Sequence, residues 1–413
     1  MSNKVYIYSV GMTKFGKFLD KSIKDLTRES LKSLQSDNDF DFSNIEAAWF
    51  SNTGWGMTDF QHSIRGQVAL TPNGIDKIPI TNVENACASG STAFNGAWTA
   101  IKAGVFDCAL AIGTEKVYQE DRAKMMGGFI SYTDVEITRN LIAQMQKAAK
   151  ERAEKAASEG KGVKNGRKEG HSVFMDFYAA GARAHMKEYG TTQRQLAIIA
   201  AKNHNNSTMN PLAQYTFPMT VDQVMEDYEV AYPLTRAMCA PVGDGSAAAI
   251  LCSEKFLKEY PNDKAILVRA SILRSGSWRK DNVSERSSTA AYKMAGLSPK
   301  DINVAEVHDA TAYGELEQIE QMGFCSLGKG GPFTERGETE LGGNIPVNTS
   351  GGLLSRGHPL GASGLAQIYE LVLQLRGEAG KRQVNNPKYA LAENGGGTIG
   401  SGPAAMCVHI LEA

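Results

Sequence analysis

The sequence of 413 residues is poor in cysteine and has no C-x-x-C pair. None of the six cysteines has a histidine at metal-ligand spacing: Cys87, Cys108, Cys239, Cys252, Cys325 and Cys407. Neither a disulfide framework nor a zinc site is therefore predicted, and no permanently bound metal or cofactor is expected. In a reducing compartment each cysteine is either a small buried hydrophobic residue or a reactive thiol.

The chain also lacks an excess of charge and a long apolar segment. Lys and Arg number 44, and Asp and Glu number 45, so the net charge is −1. Such a chain has no overall field that would attract nucleic acid or an anionic membrane. No apolar run approaches the ~20 residues that span a bilayer, and Met1–Phe15 does not have the pattern of a secretion signal. We expect a cytoplasmic protein that binds neither nucleic acid nor membrane.

The sequence does have a regular alternation of strand and helix patterns. Val5–Val10, Ile45–Phe50 and Cys108–Ile112 are predicted strands, and the small and apolar residues of Ser91–Ala103 suit a deeply buried helix. This alternation is typical of an α/β sheet packed between helices. Cys87 then lies where a strand turns into a helix.

Short sequence echoes link the two ends of the chain. Ala88-Ser89-Gly90, a helix and Ala109–Ala111 are matched by Ala362-Ser363-Gly364, a helix and Ala390–Ala392, and Gly243–Ala248 is matched by Gly400–Ala405. Each match alone is weak, because Ala, Gly and Ser are common residues. Two matches in the same order favour a duplicated α/β half, with coincidence as the alternative.

Residues 118–235 differ from both ends in having helical periodicity and few strand signals, which predicts an inserted helical loop domain. Within it, Lys147–Gly170 is rich in Lys, Glu, Ala and Gly. One interpretation of this run is a solvated helix leading into a flexible tip. The other is a surface in which Lys161, Lys164, Arg167 and Lys168 face a nucleotide phosphate or a partner protein.

Cys87 is the leading candidate for a nucleophile. At a helix N-terminus, the helix dipole and unpaired N–H groups stabilise a thiolate and lower its pKa from the usual ~8.5. Its small neighbours, Ala86, Ala88, Ser89 and Gly90, leave room for an acyl group. A buried structural cysteine is the alternative, and a structural role is expected for the other five.

Two histidines and a glycine-rich segment are further candidates. His358 lies in the glycine-rich Ser350–Gly364, just before a helix, and His308 follows the predicted strand Ile302–Val307. Glycine-rich loops and strand ends commonly form binding sites, although a lone histidine at a strand end is more often structural. The backbone N–H groups of Glu393–Gly397 suit an oxyanion hole, with a flexible turn as the alternative.

These motifs, in this order, resemble the thiolase superfamily over nearly the whole chain. The resemblance is carried by Asn85–Gly90 (NACASG), His308–Ala310 (HDA), Gly357–Gly364 (GHPLGASG) and the final glycine-rich segment. His-Asp-Ala in place of Asn-Glu-Ala points to the sterol-carrier-protein-type and archaeal-type branch.

The resemblance implies a five-layered αβαβα fold of the α/β class, built from two similar halves and usually dimeric. The implied N-terminal half comprises residues 1–117 and 236–258, the loop domain residues 118–235, and the C-terminal half residues 259–413.

The resemblance also implies roles for individual residues. Cys87 takes the acyl group, and His358 deprotonates it and helps to polarise the substrate oxygen. His308 stands in for an Asn that positions a water in one oxyanion hole, and the N–H groups of Cys87 and Gly395 form a second. The implied reaction splits a 3-oxoacyl-CoA with coenzyme A as co-substrate, and the acyl part is expected to be bulky or aromatic.

One departure from the family pattern concerns the second catalytic cysteine, whose two usual positions are occupied here by Glu393 and Ala310. Glu393, His308 or a water then replaces it as acid and base, or the substrate needs no such group. Alternatively, Glu393 only hydrogen-bonds to the turn that holds Gly395.

This departure keeps other functions open. The alternatives are a non-thiolytic enzyme, which cleaves an aldol or transfers an acyl group to carbon, and a non-catalytic lipid-binding or scaffold subunit. The retention of Cys87 and both histidines argues against the scaffold. The resemblance also implies a homodimer and a small zinc-containing OB-fold partner, and one candidate type is the thiolase subunit of two-component benzoylsuccinyl-CoA thiolases.

Overall fold

The structure is a computed structural model that describes residues 3–413 except 122–124, 126–127, 141–142, 145–146, 148–172, 280 and 401. Lys161, Lys164, Arg167 and Lys168 lie outside the described residues. None of the helices in the described part of the chain has the length and apolar character that crossing a membrane requires.

The described residues form an α/β fold. The strands are β1 Val5–Met12, β2 Ala47–Ser51, β3 Ile80–Val83, β4 Cys108–Glu115, β5 Glu229–Ala231, β6 Leu234–Thr235, β7 Gly245–Ser253, β8 Ile266–Ser275, β9 Val304–Glu306, β10 Tyr389–Ile399 and β11 Gly402–Glu412. The helices are α1 Ile23–Asn38, α2 Trp55–Asp59, α3 Arg65–Leu70, α4 Ser89–Lys102, α5 Val173–Tyr189, α6 Gln193–Ser207, α7 Val221–Glu226, α8 Glu254–Glu259, α9 Val283–Ala295, α10 Ala312–Gln321, α11 Gly330–Glu335, α12 Gly352–Arg356 and α13 Leu360–Arg376.

Nine of these strands form one mixed sheet in the order β3-β2-β4-β7-β1-β8-β11-β10-β9. β2 is parallel to β3 and β4, whereas β4 and β1 are both antiparallel to β7. Every residue of β4 and β7 is buried. Strands with both faces buried need a helix layer on each side, and this requirement explains their continuous runs of small and apolar residues.

Helices cover the sheet in layers. α1 packs outside β1 and β7, α4 and α13 pack against each other between the two parts of the sheet, and α9 packs outside β8 and β11. A short pairing of Tyr6 with Leu267 and of Ile7 with Ile266 joins the two parts into one sheet. The predicted thiolase-like fold, with its α and β layers and large mixed sheet, is confirmed.

The two segments that contain the repeated Ala-Ser-Gly sequence occupy corresponding positions in the two parts of the sheet. α4 leads to β4, which pairs with β7 in antiparallel fashion, and α13 leads to β10, which pairs with β11 in the same way. The glycines of the two Ala-Ser-Gly echoes bring the helices together. A Cβ at Gly364 would lie 2.6 Å from the Ser91 nitrogen, and one at Gly90 would lie 3.0 Å from the Gly361 oxygen.

The glycine-rich segment near the C-terminus is part of a strand, and the alternative of a flexible turn is wrong. β10 continues through the glycines, and Gly395 and Gly396 pair with Met406 and Ala405 of β11. The antiparallel ladder supplies backbone partners across this segment, so the chain stays extended despite its lack of side chains.

The described part of residues 118–235 is largely helical, as predicted. α6 packs against α7, α10 and α12, and a buried apolar cluster includes Leu196, Ile199 and Val224. The Thr192 side chain accepts a hydrogen bond from the Gln195 N–H and so caps the start of α6. The boundaries of the three segments stay a prediction.

Candidate active site

Cys87 lies in a tight turn between the end of β3 and the start of α4. The turn is closed by hydrogen bonds from the Ala88 N–H to the Asn85 oxygen at 3.0 Å and from the Ser89 N–H to the Ala86 oxygen at 3.1 Å. Ala86 has φ 48°, a left-handed conformation that a residue with a Cβ adopts only at a cost. Such strain concentrates at functional sites, and here it directs the thiol into a pocket.

Backbone N–H groups lower the pKa of Cys87, as predicted, but the net shift is upward and not downward. Burial raises the pKa of this thiol to about 12, and the nearby Glu115 also raises it. Hydrogen bonds from the backbone N–H groups of Cys87 and Gly397 act in the opposite direction but do not offset burial. Cys87 is therefore a thiol at neutral pH and needs a base when it reacts.

His358 is arranged to be that base. The Ser363 hydroxyl donates to the Pro359 oxygen at 2.9 Å, so it accepts from His358 Nδ1 at 2.8 Å. A hydroxyl has only one proton to donate, which places the imidazole proton on Nδ1. His358 Nε2 is buried and has no hydrogen-bond partner among the described residues. Burial holds the pKa of His358 well below its usual value, with His308 and Arg356 adding to the effect.

His308 lies beside His358, with ring centroids 5.2 Å apart and planes at 79°. Its Nδ1 is 2.9 Å from the side-chain nitrogen of Asn394, which is the donor of this pair. The imidazole proton is then on Nε2, where it is free to donate to an oxygen. Burial lowers the pKa of His308 to about 4, so the ring is neutral.

The structure brings Cys87, His308 and His358 into one cluster. One sulfur or nitrogen atom of each lies within 4.8 Å of the others. The cluster combines a base, a hydrogen-bond donor and a thiol, which is the equipment for nucleophilic catalysis. One sulfur and two imidazole nitrogens are also ligands that Zn²⁺ accepts. The spacing of these residues in the sequence does not predict that they form a metal-ligand set, because they lie far apart along the chain. The absence of a metal site stays a prediction.

Glu393 lies on β10 at the edge of the same cluster and is fully buried. Its Oε2 accepts a hydrogen bond from the His308 N–H at 2.8 Å, and its Oε1 has no partner among the described residues. Glu393 thus binds the His308 backbone. The alternative that Glu393 only hydrogen-bonds to the turn that holds Gly395 is wrong. Burial raises the pKa of Glu393 to about 8, so the carboxyl group is mostly protonated at neutral pH.

The glycines of β10 form one side of the site. Gly395, Gly396 and Gly397 all line the pocket. A Cβ at Gly396 would lie 2.1 Å from the Asn85 oxygen, so only glycine lets this strand approach the Cys87 turn. The N–H group that reaches the Cys87 sulfur belongs to Gly397, which the sequence reasoning did not single out.

The pocket above the cluster is a cavity of about 660 Å³. Aromatic and apolar side chains dominate its wall, among them Phe129, Tyr132, Phe174, Phe177 and Leu360. Ala310 also lines it, at a position where the family pattern allows a cysteine. Much of the aromatic wall comes from Phe129, Tyr132, Phe174 and Phe177, whose positions relative to Cys87 are set by packing and not by sequence spacing.

The other cysteines are free. Cys108, Cys252 and Cys407 are buried in strands, as expected of structural residues. Cys239 lines the pocket, and its sulfur donates to the Thr235 oxygen at 3.4 Å. Burial raises the pKa of Cys239 to about 12, and its sulfur does not belong to the cluster of Cys87, His308 and His358 found among the described residues.

Comparisons with known proteins agree with this geometry. Residues 5–231 match the model of the thiolase N-terminal domain, and residues 269–412 match the model of the thiolase C-terminal domain-like family. The chain belongs to the thiolase family. Its relatives support an acyltransferase-like function.

Two curated relatives confirm the branch expected from the His-Asp-Ala motif. The chain is 37% identical over 414 residues to an acetyl-CoA acetyltransferase of Methanothermobacter thermautotrophicus, covering 98% of each chain. It is 34% identical over 418 residues to sterol carrier protein 2 of Oryctolagus cuniculus, covering 98% of this chain and 71% of the relative.

Solved structures share the fold at lower identity. One is an Ltp2-ChsH2(DUF35) aldolase, with a TM-score of 0.75, 20% identity and coverage of 99% of this chain and 98% of the other. Another is human mitochondrial 3-ketoacyl-CoA thiolase in complex with CoA, with a TM-score of 0.69, 17% identity and coverage of 100% and 98%.

Proposed function

We propose that this protein cleaves a 3-oxoacyl-CoA thiolytically through an acyl group on Cys87. The observation that carries the proposal is the cluster of Cys87, His308 and His358. His358 Nε2 has no hydrogen-bond partner in the described part of the chain, so it is available to a thiol whose pKa is high. A buried thiol beside a neutral imidazole gives up its proton only as it attacks, so no thiolate has to be maintained in the pocket.

In the first half of the reaction, the Cys87 sulfur attacks the 3-oxo carbon as His358 Nε2 takes the thiol proton. The negative charge that develops on the ketone oxygen is stabilised by hydrogen-bond donation from His308 Nε2–H, directly or through a water. The bond between carbons 2 and 3 then breaks. Its electron pair goes to the departing enolate, which takes a proton from Glu393. The product is acetyl-CoA from a substrate without a substituent on carbon 2, or succinyl-CoA from benzoylsuccinyl-CoA, and the acyl group stays on Cys87.

In the second half, the thiol of coenzyme A attacks the acyl group. The Glu393 carboxylate takes the proton of that thiol, and the bond between the acyl carbon and Cys87 breaks. His358 returns its proton to the Cys87 sulfur. The N–H groups of Cys87 and Gly395 stabilise the thioester oxygen in this scheme, and Gly397, which reaches the sulfur, orients it.

The test is an intact-mass measurement. Incubation with an acyl-CoA should add one acyl group to the wild-type protein and to Cys239→Ser, and none to Cys87→Ser. The Cys87→Ser variant should also lose turnover by ~10³-fold or more. An acylated Cys87→Ala protein would disprove the assignment.

Aldol cleavage is a second candidate, because Ala310 and Glu393 occupy the positions where the family pattern has its second cysteine. The fold likeness to an Ltp2-ChsH2(DUF35) aldolase is compatible with this candidate. The two functions differ in whether coenzyme A is consumed. A product ratio of one acetyl-CoA and one new acyl-CoA for each coenzyme A consumed supports thiolysis, and release of an aldehyde or ketone without use of coenzyme A supports aldol cleavage.

We further propose that the acyl group is bulky or aromatic, since the cavity is large and its wall is aromatic. Benzoylsuccinyl-CoA is one candidate substrate. Comparing kcat/KM for 3-oxobutanoyl-CoA and 3-oxo-3-phenylpropanoyl-CoA tests this proposal. Preference for the shorter substrate would contradict it.

Partner proteins and the loop domain complete the proposal. We propose a homodimer of chains with the three segments bounded above, together with a small zinc-containing OB-fold partner. The Ltp2-ChsH2(DUF35) aldolase, which shares the fold, likewise combines two components. Size-exclusion chromatography of the chain, alone and co-expressed with such a partner, tests both assemblies.

We also propose that the basic residues of Lys147–Gly170 bind coenzyme A or the partner protein. Reversing the charge of Lys164, Arg167 and Lys168 should raise the KM for coenzyme A or weaken co-purification of the partner. If neither quantity changes, the run is a solvated surface.

A further inference from the structure

One wall of the pocket is polar although the rest is mainly apolar. This wall, the α5–α10 wall, consists of Tyr178 of α5 and of Tyr313, Glu317 and Gln318 of α10, all of which line the cavity. The reaction scheme gives none of these four side chains a role. Polar groups inside an apolar pocket are the usual means of orienting a ligand.

The wall is held in place by contacts between its own residues. Tyr313 and Glu317 are one helical turn apart, and the Tyr313 hydroxyl donates to Glu317 Oε1 at 3.3 Å. Gly181 of α5 makes room for the Tyr313 ring, because a Cβ there would lie 2.8 Å from Tyr313 Cε1. The side chains are therefore positioned before any substrate binds.

Gln318 has an unmet hydrogen-bonding requirement. The residue is only 7% exposed, and its Oε1 is buried without a hydrogen-bond partner among the described residues. A buried amide oxygen without a partner is costly, and a donor brought by a ligand removes that cost. The Tyr178 hydroxyl also has no protein partner in the described part of the chain, so the wall can form more than one hydrogen bond with a ligand.

The charges of the α5–α10 wall determine which polar group of a ligand can bind there. Among the described residues Glu317 has no Lys or Arg partner, and His185, the nearby base, is held by Thr191 and Glu320. Burial raises the pKa of Glu317, which favours its neutral form. Lys17 and Arg236, the two cations that line the cavity in the described part of the chain, belong to other segments, and Arg236 is paired with Asp227. At this wall a carboxylate on the acyl group would therefore meet Glu317 and no cation, whereas a hydroxyl would meet acceptors.

We propose that the α5–α10 wall selects 3-oxoacyl-CoA substrates whose acyl group carries an uncharged hydrogen-bond donor, with a ring hydroxyl as the simplest case. The inference rests on the proposed function, because it assumes that the acyl group enters this pocket. Gln318 is the specificity-determining residue, and Glu317 and Tyr178 complete the contact.

The test compares 3-oxo-3-phenylpropanoyl-CoA with its ortho-, meta- and para-hydroxyphenyl counterparts. For wild type, kcat/KM for the best hydroxyl isomer should exceed that of the parent compound by about tenfold, the scale of one buried hydrogen bond. Gln318→Leu should bring this ratio close to one. Gln119→Leu, the same substitution elsewhere in the pocket wall, should leave the ratio unchanged. Glu317→Leu, at a half-buried position, should also lower the ratio of the two kcat/KM values. This variant replaces Gln318→Leu in the test if Gln318→Leu does not fold.

Three outcomes would overturn the proposal: a wild-type ratio of one for every isomer, a preference that survives both Gln318→Leu and Glu317→Leu, or faster turnover of the carboxyphenyl counterpart than of the parent compound. Failure of the proposed function is distinguishable, because Cys87 would then show no acyl adduct with the parent compound or any of its counterparts. An adduct without a hydroxyl preference overturns only the role of the wall.

Discussion

The two central helices, α4 and α13, both carry Ala-Ser-Gly near their N-termini, at residues 88–90 and 362–364, but the two serines have different partners. In α4 the echo serine, Ser89, accepts from the Asn85 N–H at 2.8 Å and donates to the Ala86 oxygen at 2.6 Å, and so closes the Cys87 turn. In α13 the echo serine, Ser363, donates to a backbone oxygen and accepts from His358. Ser89 thus holds the turn that contains the candidate nucleophile, and Ser363 holds the candidate base.

The two halves also differ in their buried carboxyl groups. Glu115, at the end of β4, accepts five hydrogen bonds from Asn52, Thr53, Gly54 and Gly361. Glu393, on β10, accepts one and keeps Oε1 without a partner among the described residues. A carboxylate with many donors is tied to structure, whereas one with few is free to exchange a proton. Burial raises the pKa of both carboxyl groups. In the proposed mechanism, the N-terminal half supplies the thiol, and the C-terminal half supplies the acid and base.

The largest expected effect comes from removing the base. His358→Ala should lower kcat by about 10²- to 10⁴-fold, the range of general acid–base catalysis, while Ser89→Ala, on the nucleophile side, should lower it far less. Alkylation of Cys87 by iodoacetamide provides the check. In wild type the rate should rise through the alkaline range, because the thiol pKa is about 12. An unchanged profile in His358→Ala would remove His358 from this role.

The next effect separates the two carboxyl groups. Glu393→Gln should slow carbon–carbon cleavage by about 10²-fold while acylation of Cys87 by acyl-CoA continues, and it should not lower stability at neutral pH, because the amide replaces a carboxyl group that must be protonated there. Glu115→Gln should instead lower the free energy of unfolding by about 2 kcal/mol, because an amide cannot accept from all five donors. Cleavage at the wild-type rate in Glu393→Gln would transfer the acid role to His308 or a water.

The pH dependence of Glu393 follows from the direction of its shift. The pKa is raised from 4.5 to about 8, so the folded protein binds the proton more tightly than the unfolded chain. Its contribution to stability is fully present below pH 4.5 and is lost as the pH rises through about 8. Cleavage should likewise decline above about pH 8. Glu393→Gln should flatten both profiles, and urea titrations at several pH values measure the first.

A smaller effect tests the contact between the helices. Gly364→Ala should lower the free energy of unfolding by about 1–3 kcal/mol, because its Cβ would lie 2.2 Å from Ser91 Oγ and close to the Ser91 backbone. Gly90→Ala should cost less, since its nearest contact would be 3.0 Å. Gly342→Ala, with no atom within 4 Å of its Cβ, is the control. Equal urea midpoints for all three variants would contradict the close packing.

The smallest expected effect tests the shared serine. Ser363→Ala removes the hydrogen bond that fixes the His358 tautomer, so kcat/KM should fall by about tenfold, with little change in stability. Ser89→Ala should lower stability by about 1 kcal/mol through the loosened turn. Thermal unfolding and steady-state kinetics of both variants distinguish these roles. A kinetic loss of the same size in both variants would mean that the serines do not differ in function.

Much of the architecture could be predicted from sequence because it depends on local patterns. The alternation of strands and helices, the buried helix after Cys87 and the Ala-Ser-Gly repeats all lie within short stretches. Predicted and observed bounds differ by only a few residues, as in β4, which is longer than predicted, and β9, which is shorter. Local composition leaves a flexible turn open for the glycines of β10, because it does not show the partner strand, β11, that keeps them extended.

The sequence by itself determined the family, the layered fold and the identities of Cys87, His308 and His358, because these reside in residue order and local periodicity. Only the tertiary structure decided their chemical state. Desolvation by distant segments makes Cys87 a thiol and Glu393 an acid, and contacts such as that of Asn394 with His308 fix where the protons lie. Burial and hydrogen-bond partners are long-range properties, so neither the helix dipole nor the motif spacing revealed them.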